Sequence, residues 1–178
     1  MAGKQGGFFM VKKVAAAVLL LAMMTVAIVQ AMEKEEKPDN LPGLKVGVKA
    51  PDFEVKNLAG ETVKLSDFQG KKVLLNFWAT WCPPCKEEMP DMEKFHKSAG
   101  DDVVILAVNI DPQYDVNKFV NEMGITFPIL LDEKDEVNTM YQILTIPTTY
   151  FIDEEGIIRH KYISAMTEEI MEQYVDDM

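Results

Sequence analysis

The chain contains two cysteines, Cys82 and Cys85, and they stand three positions apart in the run Trp81-Cys82-Pro83-Pro84-Cys85. A C-x-x-C pair beside a βαβ pattern reads as a redox dithiol. Two intervening residues let both sulfurs sit in the first turn of a helix, near bonding distance. The first sulfur then lies beside unpaired backbone N–H groups and the positive end of the helix dipole, which favour a thiolate. In such settings cysteine pKa values fall to about 3.5–7.5, and the thiolate is the nucleophile. The chemistry this allows is thiol–disulfide exchange. Cys82 attacks a target disulfide, a mixed disulfide forms, and Cys85 resolves it by attacking Cys82. Pro83 and Pro84 fix the backbone and remove donors, so they can tune the potential.

Two other uses of a C-x-x-C fit less well. Structural zinc usually takes four ligands, and here no second cysteine pair exists; the two histidines, His96 and His160, fall in different elements. A purely structural disulfide closing so small a loop would stabilise little.

The elements that position the pair are legible on both sides of it. Val73 to Ala79 is a nearly unbroken apolar run, as expected of a strand buried on both faces. After Cys82 the period changes. Met89, Met92 and Phe95 recur at helical spacing, while Lys86, Glu87, Glu93 and Lys94 take other faces. Pro90 falls inside this helix and Gly100 is placed to stop it. Val103 to Ile110 is a second buried strand, so the stretch reads as βαβ with a parallel pair.

Ahead of this unit, Phe53–Val55 and Thr62–Leu65 read as a β-hairpin across Asn57-Leu58-Ala59-Gly60. Beyond it follow a helix from Asp115 to Glu122 and a short strand from Phe127 to Leu131, which Pro128 marks as an edge. A helix from Glu133 to Tyr141 and a hairpin of Thr148–Ile152 with Ile157–Tyr162 come next. Thr167 is placed to cap a last helix.

Composition sets the outer bounds. The chain has 178 residues, 48% hydrophobic and 26% charged, which suits one globular domain with a short appendage. The net charge is −11, and all 29 acidic residues follow Met32. That balance argues against a nucleic-acid partner, since phosphate contacts need basic patches.

At the other end, Lys12 and Lys13 precede an apolar run from Val14 to Val29, broken only by Thr25. A basic segment before such a run directs export. The run is long for a signal core and at the short end for a spanning helix of ~17–25 residues. Residues 1–32 are therefore expected to be a membrane anchor or signal segment, 33–45 a tether, and 46–178 the folded domain. Lysines on the amino side place that end in the cytoplasm and the domain outside. Val29-Gln30-Ala31 offers an alternative, cleavage near Ala31 and release as an exported soluble protein.

Three motifs in order carry a family resemblance. Asn76-Phe77-Trp78-Ala79-Thr80-Trp81-Cys82-Pro83-Pro84-Cys85 resembles the active-site strand and helix start of thioredoxin-like proteins. Ala50-Pro51-Asp52-Phe53, Leu65-Ser66-Asp67-Phe68 and Gly70-Lys71 resemble the lead-in shared by peroxiredoxins and the TlpA/ResA branch. Ile146-Pro147-Thr148-Thr149 resembles the cis-proline loop.

The resemblance implies an α/β thioredoxin fold: a three-layer arrangement around a central mixed sheet, with an N-terminal β-hairpin and a central helix–strand insertion. It implies that Cys82 attacks, Cys85 resolves, and Glu88 accepts a proton from Cys85 or shifts the thiol pKa values. It places Trp81, Pro83, Pro84, Ile146 and Pro147 against the substrate, with Pro147 cis. Asn76 stands where cytoplasmic thioredoxins carry a buried aspartate, so that acid–base role is absent. No cofactor and no metal are expected.

The implied function is disulfide reduction on the outer side of a bacterial cell membrane, by a single-pass protein. The implied targets are exported proteins such as the C-x-x-C-H pair of apocytochrome c, and the implied electron donor is a membrane partner of the CcdA or DsbD type. Alternatives are a reductant or oxidant for other exported proteins, in cell-wall or spore maturation. A peroxidase fits less well, because Ala79 stands where peroxiredoxins have threonine. A copper-delivery role also fits less well, because the cysteine spacing is two residues rather than three.

Overall fold

The computed structural model describes residues 13–14, 18–25 and 42–178. The chain separates into two units, Met1–Asp39 and Asn40–Met178. In the first, residues 18–25 are helical and their side chains are exposed. The rest of the anchor segment, the position at Ala31 and the tether as far as residue 41 lie outside the described residues; its last residues, 42–45, are described. Among the described residues, no helix is long and apolar enough to cross a membrane.

The second unit is built on one seven-stranded mixed sheet. Its strands are β1 (Glu54–Asn57), β2 (Thr62–Lys64), β3 (Lys72–Trp78), β4 (Val103–Asn109), β5 (Ile129–Leu131), β6 (Thr148–Ile152) and β7 (Ile158–Ile163), in the order β2-β1-β5-β4-β3-β6-β7. β3, β4 and β5 run parallel; the hairpin β1–β2 and the pair β6–β7 add antiparallel strands on either side. Four helices follow the chain order: α1 (Pro83–Ser98), α2 (Val116–Met123), α3 (Glu136–Met140) and α4 (Glu168–Asp176).

Successive side chains of a strand point to opposite faces, so β3 feeds two cores. Leu74 and Trp78 face one core with Met89, Met92 and Phe95 of α1 and Met171 of α4. Val73, Leu75 and Phe77 face the other with Tyr141 and Tyr150. Each fully buried side chain of this size contributes roughly 1.5–3 kcal/mol. Helices on one face and helix plus loops on the other give the three layers expected.

Three sequence expectations change. β5 is an interior strand, held between β1 and β4, not an edge. Pro128 lies just before its paired residues, and its carbonyl accepts from Ala107 N–H at 3.0 Å, so the missing donor costs no rung of the ladder. Glu93 is buried instead of solvated: Thr126 donates to it from its N–H and its hydroxyl, at 2.8 and 2.6 Å. Thr167 occupies the cap position of α4 but makes no side-chain capping bond.

Candidate active site

β3 ends at Trp78, and after four intervening residues α1 begins at Pro83. Cys82 is the residue before the helix, in extended backbone, with Pro83 and Pro84 in the first two helical positions. Neither proline carries an N–H, so the crown of free donors expected at a helix start is thinned. The first available donor is Cys85 N–H, and it points at Cys82 Sγ at 3.2 Å. The next, Lys86 N–H, goes to the Cys82 carbonyl at 3.2 Å. One aimed donor plus the dipole, not a ring of donors, favours charge on the Cys82 sulfur.

Cys82 and Cys85 are joined in a disulfide with Cα atoms 5.3 Å apart. Both are nearly covered, at 2% and 0% exposure, while Trp81 beside them is 59% exposed. Across from the pair, the Ile146–Pro147 peptide bond is cis. The Ile146 carbonyl lies 3.8 Å from Cys82 Sγ. In the disulfide that sulfur has no proton to donate, so this is a contact and not a bond. Ile146 is half-buried and Pro147 buried; Pro83 is exposed and Pro84 half-buried. The structure thus brings Trp81, Pro83, Cys82 and Ile146 to one place.

Glu88 lies one helical turn beyond Cys85 and points inward, at 1% exposure. Its Oε1 accepts from Asn76 Nδ2 at 2.9 Å, and its Oε2 accepts from Met166 N–H at 3.2 Å. Asn76 also donates to Thr149 Oγ1 at 2.9 Å; the two residues are direct cross-strand partners on β3 and β6, on the face that α1 covers. Burial raises the Glu88 pKa to about 8, against the opposing pull of the Asn76 and Met166 donors. At neutral pH its carboxyl is therefore mostly protonated, and it gains and loses its proton near the pH at which thiols titrate.

Sequence reading gave Asn76 only a negative role, as an aspartate that was absent. In the structure it is a ligand of the Glu88 carboxyl. Met166 carried no signal, and Thr149 entered only as a member of the cis-proline motif, because they reach Glu88 and Asn76 only through tertiary packing. Among the described residues, no three His, Cys, Asp or Glu side chains gather as a metal site would.

Comparison with known proteins agrees with this geometry. Residues 46–161 match the AhpC/TSA family. The chain is 46% identical over 138 residues to the thioredoxin-like protein YneN of Bacillus subtilis, covering 75% of this chain and 81% of that one. It is 42% identical to the thiol-disulfide oxidoreductase ResA of Geobacillus kaustophilus, covering 75% and 78%. Among solved structures, StoA of Bacillus subtilis superposes with a TM-score of 0.63 at 35% identity, covering 72% of this chain and 98% of StoA. A protein described as a putative thiol:disulfide interchange protein DsbE, from Chlorobium tepidum, superposes with a TM-score of 0.67 at 32% identity, covering 75% and 97%.

Proposed function

The chain belongs to the AhpC/TSA family and is a thiol–disulfide oxidoreductase with a thioredoxin-like fold, and from that premise we propose that it reduces disulfides of exported proteins on the outer side of a bacterial membrane. The observation that carries this reading is the placing of Cys82 Sγ at the start of α1, 3.8 Å from the Ile146 carbonyl, with the covered Cys85 and Glu88 following on the next two turns.

In the forward reaction the Cys82 thiolate attacks one sulfur of the target disulfide. A Cys82–target bond forms, the target S–S bond breaks, and one target thiolate leaves. When Glu88 is ionised, Cys85 passes its proton to the Glu88 carboxylate and attacks Cys82 Sγ, which releases the second target thiolate. The target is reduced by two electrons, and the protein is left with the Cys82–Cys85 bond seen here. A thiol donor restores the dithiol by the same exchange in reverse.

The ResA-like motifs and the basic-then-apolar amino-terminal segment support a membrane-anchored reductant that acts on apocytochrome c and is recharged by a CcdA- or DsbD-type partner. A reductant for cell-wall or spore-maturation proteins is the second reading.

The deciding measurement is the reduction potential of the Cys82–Cys85 pair in glutathione and dithiothreitol buffers. A value near or below thioredoxin's, about −270 mV, supports a reductant. A value near about −120 mV, that of the strong oxidant DsbA, would reverse the proposed direction. Reduction of an oxidised C-x-x-C-H peptide in preference to other disulfide peptides then separates the two substrate classes.

A further inference from the structure

We infer that Asp111, a residue with no part in the exchange chemistry, is the positioning residue that holds Cys82 in place through Thr80. The inference rests on the reading of Cys82 as the attacking thiol. Asp111 follows the end of β4 and is 2% exposed. Both of its carboxyl oxygens take the Thr80 N–H, at 3.0 and 2.9 Å. Its Oδ2 also takes the Thr80 hydroxyl, at 2.5 Å. Asn109 completes the set: its Nδ2 donates to Oδ1 at 2.6 Å, and its Oδ1 accepts from Asp111 N–H at 3.2 Å.

A buried carboxylate is costly unless its oxygens are bonded, and removal of one partner exposes that cost. Two of the three donors on the Asp111 carboxyl belong to Thr80. The carboxyl and the loop are therefore strongly tied.

What the tie holds is the junction between β3 and α1. Trp78 carbonyl accepts from Ile110 N–H at 3.0 Å, and Ala79 carbonyl accepts from Cys82 N–H at 3.2 Å. Thr80 is the middle of this turn, and Asp111 joins it to the end of the neighbouring strand. Only Trp81 separates Thr80 from Cys82, and it is 59% exposed, so it offers little packing that would hold the turn in Asp111's absence.

Other buried aspartates here do a different job. Asp132 accepts from Glu136, Val137 and Asn138 N–H, and Asp153 from Glu155 and Ile157 N–H; each closes its own local turn. Asp111 instead reaches across 31 residues of sequence, to the segment that carries the nucleophile. Exchange requires the attacking sulfur to line up with the target S–S bond, and a small displacement of a reacting group is costly in rate.

The test is the rate at which iodoacetamide alkylates Cys82 in the reduced full-length protein at fixed pH, read beside thermal unfolding. Asp111→Ala and Thr80→Val are expected to slow both alkylation and disulfide reduction about tenfold, and Thr80→Ser to restore them to within about twofold. Asp132→Ala lowers the melting temperature but leaves the alkylation rate unchanged. Wild-type alkylation rates in folded Asp111→Ala and Thr80→Val overturn the inference. So does a Thr80→Ser protein as slow as Thr80→Val, or an Asp132→Ala protein as slow as Asp111→Ala. Should Asp111→Ala fail to fold, the Thr80 pair decides. A wild type that reduces no protein disulfide would refute the proposed function, while the alkylation comparison would still judge Asp111.

Discussion

Glu88 and Glu93 lie five residues apart on α1, both largely buried, and their carboxyls are driven in opposite directions. Burial pushes both upward. At Glu93 that push is overcome by the Thr126 hydroxyl and N–H and by Lys97, whose ammonium is 3.0 Å away, so its carboxyl stays ionised below the ordinary range. At Glu88 the opposition is weaker: the Asn76 side-chain amide and the Met166 N–H favour its charge, without help from a cation among the described residues, and the pKa rises to about 8. One helix thus carries a chemical end and a structural end. The residue type is the same at both; the difference is whether a hydroxyl from the interior and a cation from the rim reach the carboxyl.

Substitutions should separate the two ends. The largest effect belongs to the redox pair. Cys82→Ser abolishes turnover in a protein-disulfide reduction assay, and measurable turnover would remove it as the nucleophile. Cys85→Ser leaves the first attack intact, so mixed disulfides accumulate on a non-reducing gel; a clean gel would deny Cys85 the resolving role.

Glu88→Gln comes next. With no carboxyl to take the Cys85 proton, exchange slows by about tenfold or more. The rise in wild-type rate as pH passes through about 8, where Glu88 becomes a carboxylate, flattens in the variant. Stability carries the same signature. The folded pKa lies above the unfolded value of 4.5, so the folded state holds the proton more tightly. Its contribution is fully present below about pH 4.5 and is lost as pH rises through about 8. The size is on the order of 5 kcal/mol. Denaturant titrations of wild type and Glu88→Gln across that window should converge at low pH and separate in the variant's favour at high pH.

The structural end gives smaller and purely conformational effects. Glu93→Gln leaves Thr126 poorly bonded and costs about 1–3 kcal/mol in unfolding free energy, with the reduction potential unchanged. A shifted potential would mean the two ends are not independent. Lys97→Ala removes an i,i+4 pair whose lysine is exposed and costs ~0.3–0.5 kcal/mol.

What the sequence disclosed follows the same division. Local signals were legible: the apolar run that became β3, the Cys82–Cys85 spacing at a helix start, and the 3.6-residue spacing of Met89, Met92 and Phe95. The family resemblance singled out Glu88 and left Glu93 on a solvated face, and helical period did not reveal that both would meet a partner from a distant segment. Glu93's partner, Thr126, stands 33 residues away, and Glu88's partner Met166 stands 78 away. Pro128 was misread for the same reason, since a proline's local cost does not say which strands will flank it. Asp111 did leave a faint trace, an acid just past the carboxyl end of a buried strand beside the motif strand, but nothing in the order of residues tied it to Thr80.

The sequence by itself determined the dithiol, the strand and helix that carry it, and the alternation that sends Asn76 to one face and Phe77 to the other, because these depend on neighbours within a few residues. Tertiary structure alone decided the charge of Glu88, the cover over the disulfide and the grip of Asp111 on Thr80. Each depends on how many donors, and how much water, distant segments bring to a buried group, and solvation of that kind exists only once the chain has closed around it.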